Sequence, residues 1–432
     1  MHMPSRAGHP ATSPWRHPAY GRAWLLAVAC LAAAPAAAQQ PSPGLSFDGA
    51  LRLATERAPM LAARQASVDA AMQLRISADQ LPDPRLIAGV DNLPISGPDR
   101  GSLTSDPMTQ TNIGWMQDVP NRAKRAARAE GAEARTLRER ALMDAERLAV
   151  QRDVAQAWLA RYFAERQLAL FQSLEAENRL LRDTVASRVA SGKAVPADAT
   201  MARQEALVLA DRRDELARER AKALATLRRW LGDEALQPLA DGLPVLKVEP
   251  AALQRDIGQQ ADLRVFAPMV QMTNAELAEL QAARQGDWNW QAIYSRRGSA
   301  YGDMVSVQFT FELPFWRETR QDPQIAAKLK EAERLGSERE DLARRRGEEI
   351  DSQLAELDEL GRKLERLRAS AAPLADERVT LSMAAYESAR GDLAGVLLAR
   401  RERVELGLRA IDLEARQYAL RARLNYLTVE QR

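Results

Sequence analysis

The sequence predicts a mainly α chain with a small β part, assembled from one set of parts used twice. Three observations predict it: a run from Asn121 to Ser191 without a proline, segments of strict polar and apolar alternation, and one order of signals that occurs in both halves. At 432 residues the chain could form two or three ordinary domains, but Gly and Pro number only 22 each and charged residues make up 28%. That composition suits long solvated helices better than compact globules. The formal charge of +2, from 61 basic and 59 acidic residues, leaves no unbalanced field to gather a polyanion, so no nucleic-acid partner is expected.

The chain opens with basic residues up to Arg22, an apolar run from Ala23 to Ala34, and the small residues Ala36, Ala37 and Ala38. This is the pattern of a signal peptide, with cleavage expected after Ala38 and export as the consequence. The run is shorter than the roughly 20 residues a spanning helix needs. A lipid on Cys30 is the rival fate, disfavoured by Ala27 three positions before it. The only histidines are His2, His9 and His17 and the only cysteine is Cys30, so cleavage leaves neither residue type in the mature chain. That removes His- and Cys-dependent nucleophiles, disulfides and the usual zinc ligand sets. No Gly-rich phosphate loop with its Lys-Ser/Thr occurs either, and no enzyme activity, metal or cofactor is expected.

Four segments read as strands. From Asp303 to Leu313, Val305, Val307, Phe309, Phe311 and Leu313 alternate with Ser306, Gln308, Thr310 and Glu312. From Asp287 to Arg297, Trp288, Trp290, Ala292 and Tyr294 alternate with Asn289, Gln291, Ile293 and Ser295. In the first half Thr109, Thr111, Ile113, Trp115 and Val119 alternate with Gln110, Asn112, Gly114 and Asp118, and Arg85 to Asn92 is a weaker partner. Four of the eight tryptophans fall in or beside these segments. Strands of about ten residues with one apolar and one polar face fit an outer-membrane barrel, with lipid outside and water inside. A small sheet packed on a soluble core is the alternative.

Each strand pair leads into helix. Roughly 70 residues from Asn121 would extend about 100 Å and need neighbours along their whole length. Small and apolar residues recur in steps of three and four: Ala134, Leu137, Ala141, Ala145, Leu148; Ile350, Leu354, Leu357, Gly361, Leu364; Val404, Leu408, Ile411, Ala415, Tyr418, Ala422. The two halves are offset by about 194 residues at Pro120 and Pro314, and about 199 at Gly192 and Gly391. The expected organisation is therefore a signal peptide at 1–38 and a first repeat at 39–231, with strand pair 85–119 and helical hairpin 121–231. A Pro/Gly-rich connector at 232–250 joins it to a second repeat at 251–432, with strand pair 287–313 and hairpin 323–430.

Four strands cannot close a membrane barrel, because an open edge in lipid leaves backbone groups unpaired. Copies must therefore combine: a cyclic trimer gives twelve strands and a wide polar lumen, whereas a dimer gives eight, whose side chains nearly fill the interior. A soluble periplasmic coiled-coil adaptor or scaffold is the main rival, sharing the export signal and the helical stripes. It has no need for the two-faced strands. An enzyme acting on cell-wall polymers has only export and abundant carboxylates in its favour.

The order of signal peptide, short helix (Phe47 to Gln80), strand pair, Asp118-Val119-Pro120-Asn121-Arg122, helix to Ser191-Gly192, then Glu312-Leu313-Pro314 and Tyr386 to Gly391, resembles the TolC-like outer membrane efflux proteins. The likeness runs over nearly the whole mature chain, and its wording is similar to the heavy-metal efflux branch. The resemblance implies a homotrimer with a twelve-stranded barrel among outer-membrane lipid and a long α-helical barrel crossing the periplasm of a Gram-negative bacterium. It also implies a passive duct for metal ions or small toxic molecules, docked on a periplasmic adaptor (membrane fusion) protein and an inner-membrane resistance-nodulation-division pump.

Two helix breaks, Arg188 to Gly192 and Tyr386 to Gly391, are read as hairpin tips, with glycine supplying the left-handed conformation of a tight reversal. The resemblance assigns adaptor docking to Arg188, Ser191, Gly192, Tyr386, Ala389 and Gly391. Some relatives close this tip with acidic residues; here those positions fall near Gly395 and Leu398, which are uncharged, and Asp392 is either a substitute or a solvated turn residue. Pro120 and Pro314 are expected to end strands and admit helices. Met269 and Met272, three apart, are read as core packing in preference to a soft-metal site.

Overall fold

The computed structural model describes residues 44–428, so the expected signal peptide and Cys30 lie outside the described residues. All four expected strands form. They are β1 (Arg85–Asp91), β2 (Gln110–Val119), β3 (Trp288–Arg296) and β4 (Met304–Phe311), each antiparallel to the next in the order β1-β2-β3-β4. The register carries one stripe across the sheet: Leu86 opposes Trp115, Trp115 opposes Ala292, and Ala292 opposes Val307. Directly opposed residues share a face, so Trp288, Trp290, Phe309 and Phe311 stand together on it. Trp288 meets Phe311 with ring centroids 6.3 Å apart.

The helices form two rows. Helices α1 (Phe47–Arg57) and α2 (Pro59–Ser77) precede β1; α3 (Arg122–Ala190) follows β2 and α4 (Pro196–Leu231) returns. After the short α5 (Pro250–Arg255) and α6 (Ala261–Arg264), α7 (Phe266–Ala282) leads into β3. Then α8 (Gln321–Arg366), a π turn at Leu367–Ala371 and α9 (Ala372–Glu387) run on as one rod, and α10 (Leu393–Asn425) returns. Near the sheet the neighbours run α2-α3-α7-α8; away from it they run α4-α3-α10-α9. Ion pairs bridge successive members: Arg64 to Glu146 (3.6 Å), Arg128 to Glu279 (2.7 Å) and Lys328 to Glu276 (2.5 Å) in the first row, and Arg403 to Glu177 (2.6 Å) in the second. Pairs this exposed are worth about 0.2–1 kcal/mol each. They fix neighbour order more than they stabilise.

The first helix differs from expectation. Phe47 to Gln80 was read as one helix, but Pro59 keeps Ala58 extended (φ −62°, ψ 116°) and breaks it into α1 and α2. At the second junction α8 begins seven residues after Pro314, within two residues of the expected 323, and Phe315 and Trp316 are exposed on the connecting turn.

Where the two rows meet lies the largest core. Trp158 of α3 is 1% exposed, stacks edge-on against Phe47 at 5.5 Å and face-on against Tyr162 at 5.4 Å, and its indole N–H donates to the Leu45 carbonyl at 3.1 Å. Leu45 also bridges to Leu239 in the connector. Buried Arg161 holds that connector to α3, donating to the Ala235 carbonyl and to the Gln237 carbonyl at 2.9 Å. The second repeat has a matching belt, in which Gln260 bridges to Thr428. We expect Trp158→Ala to cost about 3–5 kcal/mol of stability, read by thermal unfolding. Phe309→Ala, at a side chain open to solvent within one chain, should leave the monomer's stability unchanged.

Candidate functional site

Two features of the chain present chemistry to the outside: the two-faced sheet and the hairpin ends. On the sheet, large apolar side chains that would normally be core are bare. Leu86 is 69% exposed, Val305 73% and Phe311 64%. The reverse face carries Asn112, Gln291, Ser295, Gln308 and Thr310, with Gln291 donating to Gln308 at 2.9 Å and Arg85 paired to Asp118. Among the described residues both outer strands, β1 and β4, have one unpaired edge. Among the described residues no helix is long and apolar enough to cross a membrane.

Beneath the sheet a polar knot joins the repeats. Asn121 caps α3 by accepting from the Lys124 N–H at 2.8 Å, and its amide donates to the Ala282 carbonyl at 2.9 Å, at the end of α7. Asp287, just before β3, accepts the Asn121 N–H at 3.0 Å and the Lys124 ammonium at 2.8 Å. Burial alone would raise the Asp287 carboxyl, but those two hydrogen bonds and the charges of Lys124 and Arg128 outweigh it and hold it below its ordinary value. Pro120 is buried between β2 and this cap.

At the far end, α3 closes with the Schellman pattern: the Lys193 N–H donates to the Arg188 carbonyl (2.8 Å), the Gly192 N–H to the Val189 carbonyl (3.1 Å), and Gly192 has φ +72°. The other tip repeats this pattern with different residues. The Arg390 N–H donates to the Ala385 carbonyl (2.8 Å) and the Ala389 N–H to the Tyr386 carbonyl (3.2 Å). The left-handed residue is Ala389, φ +56°, and Gly391, read from sequence as that residue, has no positive φ. The reason is that α9 ends at Glu387, earlier than expected, which puts the residue after the Ser388 cap in the left-handed position. Gly391 serves close approach: a Cβ there would stand 3.0 Å from the Ala385 Cβ.

Arg188 and Tyr386 are brought together. The guanidinium lies 4.6 Å from the ring centroid and donates to the Tyr386 carbonyl at 3.4 Å. Around them Leu181, Val185, Ala202, Leu393 and Val396 form a core shared by both hairpins. Burial, and next the charge of Asp198, push the Tyr386 phenol up against the opposing pull of Arg188. The Tyr386 hydroxyl and the Arg188 Nε are buried with no hydrogen-bond partner among the described residues. Ser191 donates its hydroxyl to the Arg188 carbonyl at 3.1 Å.

Asp392 caps α10, accepting the Gly395 N–H at 2.8 Å. An Asp immediately before a helical segment is a signal the sequence did contain. Leu398 is 54% exposed, and Met269 and Met272 are half-buried in α7. Among the described residues no group of three or more acidic, His or Cys side chains could hold a metal ion.

No family model matches the chain, and no curated protein matches it by sequence. Solved structures do resemble it. A membrane protein from Pseudomonas aeruginosa superposes with a TM-score of 0.74 at 20% identity, over 88% of this chain and 90% of that one. CusC, solved in conformations that accompany folding and transmembrane channel formation, gives 0.77 at 15% identity over 89% and 92%. The outer membrane protein VceC from Vibrio cholerae gives 0.73 at 15% identity over 88% and 96%. The fold is that of the TolC-like channels.

Two outcomes are expected from these geometries. Ala389→Gly should stabilise the tip by roughly 0.5–1 kcal/mol by relieving a left-handed alanine, and Ala389→Val should destabilise it, both read by protease cleavage at the hairpin. Because the Asp287 carboxyl is depressed in the fold, its contribution is complete above the ordinary carboxylate range and fades as pH falls below about 4. Asp287→Asn should flatten that acid limb of the thermal midpoint against pH.

Proposed function

We propose that the chain is the outer-membrane subunit of a passive trimeric efflux duct, docked at its tips on a periplasmic adaptor and fed by an inner-membrane pump. The observation that carries this reading is the sheet: one face bares aliphatic and aromatic side chains, the other is polar, and both edges lack partners. In lipid the bare face gains its solvent and the polar face lines water, provided that copies close the edges. Three copies supply twelve strands, and the same rotation joins each helical row into a tube. Phe315 and Trp316, exposed just below β4, fall where an aromatic belt meets the lipid headgroups. The similarity to an outer membrane protein, VceC, and to CusC, which forms a transmembrane channel, supports this location.

The tube supplies a route and the partner supplies the energy. On this reading the choice of cargo falls to the pump. At the tips, Arg188, Ser191, Gly192, Tyr386, Ala389 and Gly391 are the docking residues. The unpaired Tyr386 hydroxyl and Arg188 Nε are polar groups that a docked protein or a neighbouring copy can satisfy.

The duct should fractionate with the outer membrane, need detergent for extraction, and conduct ions in a planar bilayer; recovery as a water-soluble monomer would sink the proposal. Val307→Asp on the bare face should abolish insertion, whereas Gln308→Asp on the polar face should leave insertion intact and shift ion selectivity toward cations. Gly391→Val should impair export in a resistance assay while trimers persist, and unchanged export would remove Gly391 from the docking set.

A further inference from the structure

Where α3, α8 and the end of α10 meet beside the short α6, the chain encloses a polar cavity of about 260 Å³. Its wall includes Arg152 and Gln156 from α3, Gln260 just before α6, Arg346 and Gln353 from α8, and Arg423 from the last turn of α10. Two of the three arginines are already answered. Arg152 pairs with Asp153 at 2.9 Å, and Arg346 pairs with Asp262 at 2.7 Å and with Glu349. The Arg423 guanidinium has no ion-pair partner among the described residues.

Gln260 is the more demanding member of the wall. It is 1% exposed, and both its Nε2 and its Oε1 are buried without a hydrogen-bond partner among the described residues. Turning the amide over changes nothing, because a donor and an acceptor stay unanswered in either orientation. Nor is the residue free to withdraw: its backbone bridges to Thr428, and the next N–H, that of Ala261, donates to the Leu427 carbonyl at 3.3 Å. The Gln353 Oε1 is likewise buried and unpartnered. Buried polar groups are hydrogen-bonded as a rule, so one cation, one amide donor and two carbonyl oxygens line a space that asks for an occupant.

The mixture of groups selects it. Arg423 repels a cation, and water leaves its charge unanswered. Sulfate or a carboxylate ion offers acceptors only, which leaves the Gln260 and Gln353 oxygens without donors. Inorganic phosphate at neutral pH carries both kinds of group: charged oxygens that accept from Arg423 and from Gln260 Nε2, and at least one P–O–H that donates to an amide oxygen. Asp153 and Glu349, the carboxylates on the wall, are each held by an arginine, which blunts their repulsion of an anion. We infer that this cavity is a binding site for inorganic hydrogen phosphate, which ties the segment before α6 to α8 and α10. The site lies within one chain and needs no second copy, so it stands or falls apart from the duct reading.

The test is thermal unfolding of the full chain in detergent at pH 7.5, in sodium phosphate, sodium sulfate or methyl phosphate at equal ionic strength. Methyl phosphate keeps the phosphoryl charge and mostly lacks the O–H at this pH. Inorganic phosphate at ten times its dissociation constant should raise the midpoint by about 2 °C over either control, and calorimetric titration with it should give a single site per chain. Arg423→Gln, at an exposed position, should weaken phosphate binding by at least about tenfold and remove the gain. Gln260→Leu should do the same and, with its orphan amide gone, should hold or raise the midpoint in sulfate. Equal midpoints in phosphate and sulfate, the result if water alone fills the cavity, would overturn the site. So would an equal gain from methyl phosphate, or a phosphate gain that survives Arg423→Gln. If Gln260→Leu does not fold, Arg423→Gln decides alone.

Discussion

An unpaired backbone edge is the constraint from which the rest of the architecture follows. A peptide group removed from water must find a partner, and β1 and β4 each offer a row of groups with none among the described residues. Four strands are too few to curl on themselves, and on the proposed reading another copy answers the edge. The helical rows obey the same logic in a weaker currency. Each is a strip of four elements with bare flanks, and water tolerates such flanks where lipid would not tolerate an open sheet. On the proposed reading the sheet dictates assembly, and the helices take their final neighbours from it.

Continuity between the layers comes from α3, whose 69 residues belong to both helical rows. The knot of Asn121, Lys124 and Asp287 sets its angle to the sheet, and Trp158 and Arg161 clamp the connector at its waist. The surface ion pairs add little energy individually, yet they occur at successive seams of the rows, which suits a structure whose helices would otherwise slide past one another along alanine-rich contacts.

Much of this was legible in residue order. Trp288, Trp290, Phe309 and Phe311 alternate with polar residues because one face of each strand is meant for a different solvent, and such a period survives in sequence. The ends of α3 were legible for a similar reason: a proline, an Asn cap and a Gly closure are local devices. What stayed hidden depends on contacts between distant residues or on register. Asp287 binds Asn121 across 166 positions, and nothing near either residue announces it. The left-handed Ala389 was masked by Gly391, since local pattern gives the presence of a turn but not the residue at which the helix stops. The break at Ala58 follows from Pro59, a local signal that the sequence does contain.

The π turn at Leu367–Ala371 distinguishes the repeats more deeply than their lengths do. It lies just before Pro373, which lacks the N–H an α-helix would require, and it inserts one surplus residue into a rod that is otherwise regular. Leu360, Leu364 and Leu367 face α10 above it; below it the inward role passes to Ala375 and Tyr386. A surplus residue rotates everything downstream about the rod axis by roughly 100°. The duplicated halves thus share a blueprint near the sheet, and moving that insertion would retune one loop's aim without disturbing a single strand.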